Sequence, residues 1–173
     1  RSPSRGLGDV YKRQGGIRSM DRIEMLFESG VDKVIVGTGA IENKYFLEQL
    51  RECSYLNKVI FALDFKVINE LPMLATHGWS VESEINLYDY LSKNSWIKNI
   101  LATDISLDGT MKGPNKDIYK KIISMNAFKF TASGGIGDID DLKYLKAIGA
   151  NECVVGKAIY EKQISMMDLR NVN

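Results

Sequence analysis

One histidine, two cysteines and a net charge of +1 are all that this chain of 173 residues offers to several common chemistries. Cys53 and Cys153 show no metal-ligand or redox spacing, so they read as two reduced core residues of a cytoplasmic protein. A single histidine, His77, makes coordination of a metal through imidazoles a poor reading, and no metal site is expected. The small net charge supplies no basic field for nucleic acid. No run approaches the ~18 apolar residues of a membrane span, and no apolar segment follows the N-terminus as in a secretory signal. A hydrophobic content of 45% remains, which is ordinary for a globular core.

The first residues differ from the rest. Residues 1–14 carry Arg1, Arg5, Lys12 and Arg13 against one acid, Asp9, and show no hydrophobic period. The eleven residues SRGLGDVYKRQ match the peptide that one frame of a transposon-based sequencing adapter encodes. Residues 1–14 are therefore expected to be foreign and disordered, and are set aside from fold reasoning. The next residues, Gly-Gly-Ile-Arg-Ser, read as a strand end turning into a helix.

From residue 15 onward, short β-branched runs alternate with amphipathic helical stretches. The expected strands are 33–37, 59–64, 99–104, 128–133 and 152–156. Between them, residues 21–29 carry Ile23, Leu26 and Phe27 on one helical face, and Asn43, Asn86, Asn115 and Asp138 or Asp140 stand at helix starts. Their helices carry apolar residues at helical spacing, such as Phe46 and Leu50, Leu87 and Leu91, Ile118 and Ile122, and Leu142 and Leu145. Apolar strands joined by helices form a parallel sheet covered on the outside. An internal repeat selects the architecture. Residues 15–42 and 134–161 align without a gap, with nine identities in 28 positions at an offset of 119. That offset is the length of four βα units, and two copies approach the ~250 residues of a (β/α)8 barrel. The expected fold is α/β, a TIM barrel of two half-barrel repeats, here incomplete, with strands 3/4 to 8 present in residues 15–173.

The repeat also marks candidate sites. Gly134 and Gly135 end one strand and Gly156, followed by Lys157, ends the next; Gly15, Gly16, Gly37 and Thr38 are their counterparts. A glycine pair at a strand end presents backbone N–H groups with no side chain in the way, beside the start of a helix. Two such cups imply a ligand with phosphates at both ends. Asp64 ends the strand VIFALD and points into the mouth of a barrel, where catalysis occurs. Thr103 ends NILATD with a hydroxyl able to meet a substrate oxygen. Asp108-Gly109 reads as a turn. Trp79, in a long loop after the strand of Asp64, can stack on a flat heterocycle, and Arg18 follows the first cup.

The segments GGIRS, VGTGAIEN, HGW, TDISLDGT, SGGIGDIDD and VGKAIYE resemble, in that order, the phosphoribosylformimino-5-aminoimidazole carboxamide ribotide isomerase family of histidine biosynthesis, over residues 15 to about 168. The resemblance implies a two-half barrel that needs no cofactor and acts on a small bisphosphorylated substrate. It implies an Amadori rearrangement of aminoaldose to aminoketose, with one aspartate on the first strand as proton acceptor and Asp64 as donor. It places Thr103 near the reacting sugar, Arg18, Trp79 and Asp104 at the substrate, and Gly16, Gly37, Thr38, Gly134, Gly135, Gly156 and Lys157 at the phosphates. The full-length protein is expected to be monomeric.

Two departures qualify the match. FKVINELPML after Asp64 lacks the glycine-rich turn of the family, and the first-strand aspartate has no counterpart in this chain. The 173-residue polypeptide is therefore expected to be inactive. The alternatives are the related cyclase subunit of the same pathway and a non-catalytic phosphate-binding barrel remnant.

Overall fold

A computed structural model describes residues 12–76, 78–79, 81–125 and 128–172. Residues 1–11, which hold most of the segment read as foreign, lie outside the described residues, as does His77.

The order of elements is β1 (Lys12–Gln14), α1 (Met20–Glu28), β2 (Lys33–Val36), α2 (Thr38–Glu42), α3 (Lys44–Glu52), β3 (Val59–Ile68), β4 (Leu71–Thr76), β5 (Val81–Asn86), α4 (Leu87–Lys93), β6 (Asn99–Asp104), α5 (Lys116–Met125), β7 (Lys129–Ser133), α6 (Ile139–Ala147), β8 (Glu152–Cys153), α7 (Lys157–Tyr160) and α8 (Met166–Val172). The sheet runs β1-β2-β3-β6-β7-β8, all neighbours parallel. A hairpin, β4–β5, hangs antiparallel from the end of β3. The architecture is mixed α/β with a parallel-dominated sheet, a barrel-type arrangement of βα units. Among the described residues no helix is long and apolar enough to cross a membrane.

β1 and β8 are the two ends of the parallel path. The sheet curls so far that the Lys12 ammonium on β1 lies 2.6 Å from the Glu152 carboxylate on β8. Lys12–Gln14 fall inside the segment expected to be disordered, yet they pair with Lys33–Ile35. A backbone ladder reads extended main chain rather than side chains, so any extended tripeptide ahead of Gly15 can fill this edge.

Each strand sorts its side chains by period two. Val34 and Val36, Phe61, Leu63 and Phe65, Ile100 and Ala102, and Phe130 and Ala132 are buried under the helices. The helices meet them with the stripes read from the sequence: Ile23 and Leu26, Phe46 and Leu50, Leu87 and Leu91, Ile118, Tyr119 and Ile122, and Leu142 and Leu145 are all buried. Each fully buried Leu, Ile or Phe contributes about 1.5–3 kcal/mol of transfer free energy. Asn43, Asn86 and Asp138 cap their helices through side-chain oxygens, and the Asn115 side chain does the same before α5.

The repeat holds at the level of dihedral angles. Gly15 and Gly16 have φ of 95° and 65°, and Gly134 and Gly135 have 93° and 80°. Gly30 and Gly149, just past α1 and α6, have φ of 87° and 95°. Gly37 and Gly156 precede α2 and α7 with φ of −123° and −113°.

Three expectations need correction. The two cysteines are not core residues: Cys53, at the end of α3, is half-buried, and Cys153 is exposed because β8 has one neighbour and leaves its far side open. The strand expected over 152–156 narrows to Glu152–Cys153 for the same reason, although the Val154 N–H still reaches Ala132 O at 2.8 Å. β3 runs past its expected end at Asp64 to Ile68, and the segment beyond it, read as a long loop, forms β4 and β5. The turn that joins β3 to β4 uses Asn69 and Glu70 at φ 49° and 65°, the double left-handed geometry for which Asn-Gly is the usual signal.

Candidate active site at the mouth of the sheet

The strand faces opposite the helices converge on a cavity of about 650 Å³. Alternation puts Ile35 of β2, Ala62 and Asp64 of β3, Leu101 and Thr103 of β6, and Ser133 of β7 on its wall. Asp64 and Thr103 are direct partners in the β3–β6 ladder. Thr103 and Ser133 are partners in the β6–β7 ladder. A polar layer therefore crosses three strands at their C-terminal ends, the end where barrels of this type do chemistry.

Gly15, Gly16, Arg18, Gly37 and Thr38 form one flank of this cavity. The opposite flank opens into a second cavity of about 320 Å³, lined by Gly134, Gly135, Gly156 and Lys157. The two cavities share Asp108, Ser133 and Val154. The glycine pairs of the two repeat copies thus face each other across the mouth.

Trp79 reaches the site from the tip of the hairpin. Its backbone is left-handed, at φ 74°, and its indole N–H donates to Asp64 Oδ2 at 2.8 Å. Two residues fifteen positions apart, each singled out separately in the sequence, are thus in direct contact. The indole is 45% exposed, so it covers one oxygen of Asp64 without sealing the cavity.

Asp104 departs from the expectation. Period two turns Thr103 to the cavity and Asp104 away from it, and Asp104 lines neither cavity. Its buried carboxylate accepts from the Ser106 N–H at 3.0 Å, the Ser106 hydroxyl at 2.6 Å and Asn115 Nδ2 at 2.7 Å. It shapes the loop between β6 and α5 and has no face left for a ligand.

That loop carries a residue the sequence reading passed over. Asp108-Gly109 is a turn, as expected, with Gly109 at φ 68° and the Thr110 N–H bonded to Leu107 O. Asp108 also lines both cavities. The Asp108 N–H donates to Asp104 O at 3.1 Å, one helical turn back, and this brings the residue over the strand end again. A carboxylate in the loop at a C-terminal strand end was the available signal. Ser133 was missed as well, because a serine before a glycine pair carries no signal of its own.

The second glycine pair is interlocked with this loop. The Gly113 N–H donates to Gly135 O at 2.8 Å. A Cβ on Gly135 would run into Gly113 O, and one on Gly134 would lie 2.7 Å from Asp104 O. Asp141, buried at the start of α6, accepts from the Gly137 N–H at 3.0 Å and ties down the far side of the turn. Gly15 and Gly16, in contrast, have no atom within 4 Å of such a Cβ among the described residues. Among the described residues no group of three or more His, Cys, Asp and Glu side chains could hold a metal.

Residues 12–165 match the family model described as histidine biosynthesis protein. A protein of Clostridium botulinum strain Langeland is 41% identical over 154 residues, which is 88% of this chain and 62% of that protein. One of Francisella philomiragia is 34% identical over 89% of this chain and 65% of its own length. One of Bacillus thuringiensis is 39% identical over 91% of this chain and 65% of its own length. All three are named 1-(5-phosphoribosyl)-5-((5-phosphoribosylamino)methylideneamino)imidazole-4-carboxamide isomerase. The chain thus spans somewhat less than two thirds of the length of these relatives.

Proposed function

The chain belongs to the histidine biosynthesis protein family, and on that premise we propose that its site serves an aldose–ketose isomerase acting on phosphoribosylformimino-5-aminoimidazole carboxamide ribotide. The observation that carries the reading is the polar layer of Asp64, Thr103 and Ser133, joined by Asp108 and flanked on both sides by matched glycine pairs.

The two flanks suit the two phosphates of one ligand. Backbone N–H groups of Gly16 and Gly135 meet phosphate oxygens without a side chain between them, aided by Arg18 and Thr38 on one side and Lys157 on the other. A ligand held at both ends has its aminoribose over Asp64 and Thr103.

An Amadori rearrangement needs a proton placed on the ring oxygen, which opens the ring to a Schiff base. A proton is then removed from the adjacent carbon, and the enaminol relaxes to the ketose. One donor and one acceptor suffice. Asp64 takes the donor role, its carboxyl oriented by the Trp79 indole N–H. Thr103, its ladder partner, holds the sugar hydroxyl. Asp108 is the only other carboxylate on the cavity wall among the described residues, and it is the acceptor candidate that this chain itself offers. The family resemblance gives that role to a first-strand aspartate with no counterpart in these residues, the ground on which the chain was expected to be inactive; with Asp108 as acceptor, slow turnover is proposed instead.

The test is conversion of the ribotide by the 173-residue chain, followed in absorbance, beside Asp64→Asn and Asp108→Asn. Each substitution should lower kcat at least about a hundredfold with a smaller effect on KM. Binding of the ribotide with no conversion by the parent chain would move the reading to a phosphate-ligand-binding protein.

A further inference from the structure

Tyr119 lies outside both cavities, on the inner face of α5, with no measurable exposure. Its ring is set edge-on to Phe65 at 6.2 Å and tilted against Phe130 at 5.5 Å. Those contacts need only a phenyl ring. The hydroxyl has a separate task. It accepts from the Asp104 N–H at 3.2 Å and donates to the carbonyl of Ser133. One oxygen thus spans the ends of β6 and β7.

These two backbone groups lie where the ladder stops. Thr103 pairs with Ser133, and there the register between β6 and β7 ends. Beyond it the strands diverge into their loops, and a buried N–H and C=O at a parting ladder need partners from elsewhere. The hydroxyl supplies both, since a phenol can donate once and accept at the same time. Burial is the largest influence on the hydroxyl and raises its pKa. The Asp104 N–H opposes this, and the Asp104, Asp64 and Asp108 carboxylates add to the rise. The bridging proton therefore stays in place throughout the ordinary pH range.

Each of the two strand ends leads into a segment of the proposed site. Asp104 leads into Asp108, and Ser133 leads into Gly134 and Gly135. We infer that Tyr119 is a positioning residue, whose hydroxyl sets the gap between the β6 and β7 ends and thereby holds Asp108 and the second glycine pair in register to face one ligand. The value of that register rests on the proposed phosphate-binding role; the bridge itself does not.

Tyr119→Phe in the 173-residue chain separates the two. The phenyl ring keeps its packing, while the Asp104 N–H and Ser133 carbonyl lose their partner. By NMR-detected hydrogen exchange, the Asp104 and Gly113 amides should exchange about tenfold faster, the size expected for a lost buried hydrogen bond. Val36 and Phe61, away from the bridge, should keep their rates. Inorganic phosphate, titrated against the amide signals, should bind several-fold more weakly at Gly134 and Gly135, with affinity at Gly16 and Thr38 unchanged. A residue that merely packs the core would move both flanks together.

Unchanged protection at Asp104, or a loss spread evenly over β2, β3 and β6, would overturn the inference. If inorganic phosphate moves neither glycine pair in the parent chain, the phosphate reading fails, and the contrast between Asp104 and Phe61 exchange still decides the role of Tyr119. Should the phenylalanine variant not fold, the parent chain suffices. A slowly exchanging Tyr119 hydroxyl proton supports the bridge, and a hydroxyl proton in fast exchange with water rules it out.

Discussion

A glycine can be required by its dihedral angles, by its neighbours or by both, and the two repeat copies separate these causes. Gly16 and Gly135 occupy equivalent positions with left-handed backbones. At Gly16 a methyl group meets open space, while at Gly135 it would run into the Gly113 carbonyl oxygen. Gly16→Ala should therefore cost about 1 kcal/mol, the price of an L-residue in that conformation. Gly135→Ala should cost more than about 3 kcal/mol, or rearrange the loop over 105–113, since backbone must move to relieve the clash. Denaturant titration of both variants checks the ranking, and equal losses would contradict it. That the glycine pairs, Asp64 and Thr103 line the mouth was legible because strand ends and a repeat announce them. Asp104 was read as meeting the substrate and Asp108 only as part of a turn, whereas the cavity is lined by Asp108 and not by Asp104. Sequence shows two aspartates after a strand, but which of them faces the cavity depends on the side of the sheet taken by Thr103 and on where the loop turns back.

Elements were legible where they obey a period and carry a cap. The stripes of α1, α3, α4, α5 and α6 lie on the expected faces, and the asparagine caps hold where expected. The β4–β5 hairpin was not legible. The turn that leads into it from β3, Asn69-Glu70, includes no glycine, and nothing in Asn-Glu announces two left-handed residues in succession. That mismatch is itself a prediction. Glu70→Gly removes a strained side-chain position at φ 65° and should stabilise the chain by up to about 1 kcal/mol. A rise in the thermal midpoint is the expected result, and a fall would mean that the Glu70 side chain contributes more than its backbone loses.

At the scale of the whole molecule, the repeat gave the architecture, because a constant offset with matched glycines fits a closed succession of βα units better than an open sheet. The approach of the two sheet edges was not legible. It depends on Lys12, within the segment set aside as foreign, meeting Glu152 across 140 positions. Partial burial pushes the Glu152 carboxyl up. Hydrogen bonds from Lys12 and Lys129, with their charges, outweigh that and lower it from 4.5 to about 2. The sign comes from linkage: a carboxyl lowered on folding stabilises the fold above its unfolded pKa and loses that contribution as pH falls toward the folded one. Stability should therefore decline between pH 4.5 and about 2, more steeply in the parent chain than in Glu152→Gln. Urea midpoints across that window check it, and parallel curves would remove Glu152 from the account. The group is part-exposed, so added salt should flatten the difference.

The chain has two tryptophans, and the fold assigns them unlike surroundings. Trp96 stands edge-on to Phe61, half-buried beneath β3. Trp79 stands in water at the mouth, its indole N–H against a carboxylate. Light emitted by the first reports on the packed interior, and light emitted by the second reports on Asp64. A molecule entering between the glycine pairs has to share Asp64 with that indole, so the colour and brightness of Trp79 form a built-in gauge of whether the mouth is occupied.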